Sequence, residues 1–168
     1  HVIRFLPSTG NNLTSIINNT IKATGGNIMY GILMQNSAHN YVYNNTVKVN
    51  ASGPVGIVIG HDSGNEVAFN NTVLNNTVII TGSATTPIGI SVGADSNRIE
   101  NNTIKMFSGG TGVDLNLVKY TLVNGNNITI SGLAGLNKGI SSGGGGGESF
   151  NNGSFNIIWT NGSSASGI

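Results

Sequence analysis

Apolar residues recur along this chain in short alternating runs, and the runs return at a fixed interval. One type opens on glycine: Gly31-Ile32-Leu33-Met34, Gly56-Ile57-Val58-Ile59, Gly89-Ile90-Ser91-Val92, Gly112-Val113-Asp114-Leu115 and Gly139-Ile140. A second type follows a pair of asparagines. Ile21 and Ala23 come after Asn18-Asn19, and Val47 and Val49 after Asn44-Asn45. Val78 and Ile80 come after Asn75-Asn76, Ile104 and Met106 after Asn101-Asn102, and Ile128 and Ile130 after Asn126-Asn127. A weaker copy opens at Asn151-Asn152. The first asparagines of successive pairs lie 26, 31, 26, 25 and 25 residues apart. Alternation with period two predicts strands buried on one side. A fixed interval of this size predicts stacked repeats.

Between the two runs comes a polar turn and a third, shorter run, which offers Ile16, Val42, Val67, Ile99 and Leu122 to the interior. Three short strands per unit close around a core only when each unit stacks on the last. Glycine, asparagine, threonine and β-branched residues dominate, which disfavours helix. The expected fold is a right-handed parallel β-helix of about six turns, with about 25–26 residues and three strands per turn. It forms a single domain: an N-terminal edge turn over 1–15, regular turns over 16–155 and a C-terminal edge segment over 156–168. The long 31-residue step is read as a small insertion at 70–74.

The asparagine pairs suit a tight corner. Asparagine tolerates the left-handed backbone region better than other non-glycine residues. Asparagines stacked one turn above another can also pass amide hydrogen bonds along the coil. Asn18, Asn19, Asn44, Asn45, Asn75, Asn76, Asn101, Asn102, Asn126 and Asn127 are therefore the expected structural bends, with an asparagine ladder at one corner of the coil.

The spacing Gly-Ile-x-Val, then Asp-Ser, then Ile-x-Asn-Asn-Thr-Ile, clearest over 89–106 and 31–49, resembles the parallel β-helix repeat of pectate-lyase-like and NosD-like proteins. That resemblance covers about residues 10–160 and implies the fold; enzymes, binding proteins and surface proteins share it. More loosely, the Asn-Asn-Thr-rich composition resembles sheath, surface-layer and adhesin-like proteins of methanogenic archaea, which implies an extracellular or cell-surface location.

Composition narrows the partners. Charged residues make up 8% of the chain, hydrophobic residues 38%, and the net charge is +1. Such a chain folds rather than remaining disordered, and low net charge favours association. Seven lysines and arginines read as scattered among six acids, so nucleic acid is not an expected partner. With no cysteine, neither disulfides nor thiolate metal sites are available. No run is long and apolar enough for a membrane span. The chain opens on His1 rather than Met, the expectation for a processed or trimmed product.

Little points to catalysis, and neither cofactor nor metal is expected. Aligned units place Asp62 above Asp95 and Ser63 above Ser96, a pair that could serve glycan hydrolysis or half a calcium site. The competing reading is a turn residue bonding nearby backbone. Glu66 and Arg98 are expected as a surface ion pair of little energy. His61-Asp62-Ser63 holds triad residue types, but consecutive residues cannot form a triad. His1, His39 and His61 lack ligand spacing. Gly143–Gly147 lacks the Lys-Ser/Thr of a phosphate loop and reads as a plain loop. Of ten Asn-x-Ser/Thr triplets, Asn12, Asn50 and Asn161 lie outside the bends and are the best glycosylation positions.

The ends carry the functional expectation. Val2, Ile3, Phe5 and Leu6 at one end, and Ile157, Ile158 and Trp159 at the other, read as apolar edge strands without a capping helix. The expected function is structural: a non-enzymatic envelope subunit stacking with itself into a sheath, surface layer or filament, with envelope glycans as a further partner. The alternatives are an extracellular carbohydrate-binding or polysaccharide-cleaving β-helix and an adhesin passenger module.

Overall fold

A computed structural model describes residues 3–5, 13–60, 68–82, 86–132, 136–143, 151–161 and 164–167. Among these there is no helix. A leading strand, β1 (Ile3–Phe5), precedes six strand triplets. These are β2 (Ser15–Ile17), β3 (Thr20–Thr24) and β4 (Ile28–Met34); β5 (Tyr41–Tyr43), β6 (Thr46–Asn50) and β7 (Gly53–Ile59); and β8 (Thr72–Leu74), β9 (Thr77–Ile80) and β10 (Ile88–Val92). Then come β11 (Arg98–Glu100), β12 (Thr103–Met106) and β13 (Thr111–Asn116); β14 (Leu122–Asn124), β15 (Asn127–Ser131) and β16 (Leu136–Gly143); and β17 (Asn152–Ser154), β18 (Ile157–Asn161) and β19 (Ser164–Ser166).

Each triplet gives one strand to each of three parallel sheets, so the chain is a β-solenoid. The first sheet runs β1-β4-β7-β10-β13-β16-β19, the second β2-β5-β8-β11-β14-β17 and the third β3-β6-β9-β12-β15-β18. Register repeats residue for residue: Ile104 pairs with Val78 and Ile128, and Ile90 with Ile57 and Val113. Each inward position therefore stacks on its own kind, and one apolar core runs up the axis from Ile16 to Ile140.

The glycine that opens each first-sheet run has a steric cause. A Cβ on Gly89 would come within 2.6 Å of Cγ2 of Ile104 and 2.5 Å of the Gly112 carbonyl. Gly31, Gly56, Gly112 and Gly139 meet Val47, Val78, Ile128 and Ile158 in the same way. At this corner the backbone of the first sheet lies against the branched side chains of the third, and no side chain fits between them.

Three expectations are corrected. The second-sheet core residues are Ile16, Val42, Val73, Ile99 and Val123. Leu122 turns outward beside Arg98, and Val67 lies outside the described residues. Residues 70–74 are not an insertion: Thr72–Leu74 is the regular strand β8, paired with β5 and β11. The extra length falls between Ile59 and Thr72 instead. Asn127 is not a bend residue but the first residue of β15, because Gly125 takes the left-handed corner and Asn126 the inward place behind it.

Candidate functional site

Two of the solenoid's three corners are built by hydrogen-bonded side chains. At the corner between the second and third sheets, Asn18, Asn44, Asn75, Asn101, Gly125 and Phe155 adopt left-handed backbone angles, with φ between 52° and 64°. The residue after each turns inward. Nδ2 of Asn19 donates to Oδ1 of Asn45 at 3.2 Å, Asn45 to Asn76 at 3.0 Å and Asn76 to Asn102 at 3.1 Å. Asn102 donates to Asn126, and Asn126 to Asn156, both at 3.0 Å. The main-chain N–H of each of these five donors reaches the same oxygen at 2.9 Å. The other amide hydrogen of Asn45, Asn76, Asn102 and Asn126 returns to a main-chain carbonyl one turn back, at Ile16, Val42, Val73 and Ile99. The sixth member is Asn156, not the Asn151-Asn152 pair, because Phe155 supplies the left-handed residue there.

The corner between the first and second sheets holds a second ladder. His39, Asn70, Ser96 and Tyr120 take the left-handed position, and Asn40, Asn71, Asn97 and Thr121 turn inward behind them. Asn40 donates through Nδ2 to Asn71 Oδ1 at 2.8 Å, and the N–H of Asn71 to Asn97 Oδ1 at 2.8 Å. The N–H of Asn97 reaches Thr121 Oγ1 at 3.5 Å, and that of Thr121 reaches Asn151 Oδ1 at 2.9 Å. No buried polar side-chain atom among the described residues lacks a partner.

Both ladders run in one direction. In the bonds onto the ladder side-chain oxygens, each earlier turn donates and each later turn accepts. At the N-terminal side Asn19 Oδ1 accepts nothing among the described residues, although each counterpart accepts two bonds. At the C-terminal side the Asn156 side chain donates only to the Val123 carbonyl, and its main-chain N–H is unpaired among the described residues. The strands there are edges as well: among the described residues, β1 and β19, β2 and β17, and β3 and β18 each have one neighbour. Ile3 and Ile158 pack half-buried against the core, whereas Ile157 and Trp159 face outward, 68% and 54% exposed. The backbone of Phe5 pairs with Met34; Val2 and Leu6 lie outside the described residues.

The chemistry-bearing side chains do not converge. Asp95 Oδ1 accepts the main-chain N–H of Lys119, one turn on, at 2.7 Å, a turn-fixing bond; Asp62 and Ser63 lie outside the described residues. Arg98 pairs with Glu100 at 2.9 Å rather than waiting for Glu66, which also lies outside them. The His39 ring meets Phe69 edge-on at 5.4 Å; His1, His61 and 144–147 lie outside the described residues. Among those residues no three potential metal ligands cluster. Asn50 is exposed at the end of β6, and Asn161 is exposed at the end of β18 with its carbonyl held by Asn137; Asn12 lies outside the described residues.

Asp114 carries a signal that sequence reading passed over. It stands on the outer face of the first sheet, beside Ser91 and Ser141 in register. Burial raises its carboxyl above the ordinary 3.8, against the opposing pull of Lys138 and the Ser141 hydroxyl. A cavity of about 170 Å³ on the same face is lined by Tyr30, Val55, Val58, Ile88, Ser91 and Asn116. One carboxylate among hydroxyls can accept hydrogen bonds, but acid–base glycan cleavage needs a second carboxyl across from it.

No protein-family model matches the chain, and no curated protein or solved structure matches it either.

Proposed function

We propose that this protein is a structural subunit of a cell envelope whose copies stack end to end along the solenoid axis. The single observation behind this reading is the direction of the asparagine ladders. At the ladder itself, whatever meets Asn156 must offer an acceptor, and whatever meets Asn19 Oδ1 must offer a donor. A second copy of the same chain does both, placing Asn156 donors against the Asn19 acceptor and free strand edge against free strand edge. Low charge, the exposed sequon at Asn50 and the resemblance to surface and sheath proteins support the envelope setting.

Sedimentation velocity and electron microscopy of the 168-residue chain test the stacking. Rods one solenoid wide, lengthening with concentration, are expected. Asn19→Leu, at the exposed open end of the ladder, should shorten them while leaving the monomer folded. A chain that sediments as a monomer at every concentration would falsify the reading.

A further inference from the structure

The outer face of the third sheet carries a lysine column that the linear sequence conceals. Register aligns Lys22, Lys48, Ile79, Lys105, Thr129 and Trp159 in one row across β3, β6, β9, β12, β15 and β18. Two positions earlier, Thr20, Thr46, Thr77 and Thr103 form a parallel row. The three lysines are exposed, and these six strands contain no acidic residue. None of the three has an ion-pair partner among the described residues. A shallow depression of about 130 Å³ lies beside the row, lined in part by Thr24, Asn50, Ile79 and Thr81.

Stacking Lys22 directly on Lys48 is unfavourable by itself. Strands stand about 4.8 Å apart, and like charges directly opposite one another destabilise a sheet. The second sheet avoids the problem by pairing Arg98 with Glu100; the third leaves its charges uncompensated on a flat face bordered by hydroxyls. We propose that this face binds a linear anionic polysaccharide along the solenoid axis, its carboxylates against Lys22, Lys48 and Lys105 and its hydroxyls against the threonine row. Trp159, at the end of the lysine row, offers a ring face to the apolar side of a sugar. Nucleic acid fits less well. The face has no arginine to fork onto phosphates, and a net charge of +1 gives no wider positive field. The proposal does not depend on stacking, since the row lies within one copy.

Affinity electrophoresis of the whole chain through gels containing alginate, neutral dextran or no polysaccharide tests it, with oligothymidylate as competitor. Alginate should retard the protein at low salt and dextran should not. Raising salt from about 50 to about 200 mM should weaken binding about tenfold, as three contacts to a linear polyanion imply. The variant K22Q/K48Q/K105Q should bind about tenfold more weakly, whereas arginine at the same positions, or Lys119→Gln at a distant corner, should retain binding. Unchanged circular dichroism would show that the variants fold. Equal retardation of wild type and triple glutamine variant, no retardation at low salt, or tighter binding of oligothymidylate would each overturn the assignment.

Discussion

Asn102 shows how much one side chain can hold. Its amide donates to Asn126 and to the Val73 carbonyl, and its oxygen accepts both the N–H and the Nδ2 of Asn76. Leucine at this place would leave donors of Asn76 buried without acceptors, at about 1–3 kcal/mol for each orphaned group. Asn102→Leu is therefore expected to destabilise by about 3–5 kcal/mol, whereas Asn50→Leu, on the exposed side of β6, should stay within about 0.5 kcal/mol. Thermal melts of the two variants decide the matter; equal shifts would mean that the inward bonds contribute nothing. Not every bend residue is chosen so well. Phe155, 88% exposed, and Leu117, 63% exposed, hold left-handed angles that asparagine or glycine adopts at lower cost.

At the scale of strands, the closest fit is where the first sheet meets the third. Alanine at Gly89 would drive a methyl into Ile104 on one side and the Gly112 carbonyl on the other. Neither is the free end of a flexible chain, so Gly89→Ala should cost about 3 kcal/mol and lower the denaturant midpoint accordingly. Gly26→Ala, with open space around its Cβ, is the control. These glycines were readable in the sequence because an apolar alternation followed each of them, and so was the parallel three-sheet coil. The middle strands were harder to read. Each spans three residues with a single inward side chain, too short for alternation to fix its phase, and so the pattern points to Leu122 where the inward residue is Val123. The asparagine pairs mislead wherever another residue fills the left-handed position. Gly125 shifts the ladder from Asn127 to Asn126, and Phe155 moves it on to Asn156. The lysine row is hard to see in the sequence because Ile79 interrupts it and Thr129 and Trp159 continue it without charge.

For the whole molecule, what matters is how the sheets end. Among the described residues the first has seven strands and the other two have six. In a coil that visits the sheets in turn, the place after β19 lies in the second sheet, whereas β1, the first described strand, lies in the first. Copies that stack as proposed cannot both keep the nineteen strands of the described residues seated and continue without a gap. Flush continuation lets β19 cover β4 of the next copy, which requires β1 to vacate that edge. β1 is held there by three paired residues and by the Arg4–Gln35 bond at 2.8 Å. Removing residues 1–6 should therefore raise the rate of rod growth in light-scattering traces, and slower growth would contradict this geometry. The supernumerary strand would then work as a latch, setting how readily each newcomer joins the column.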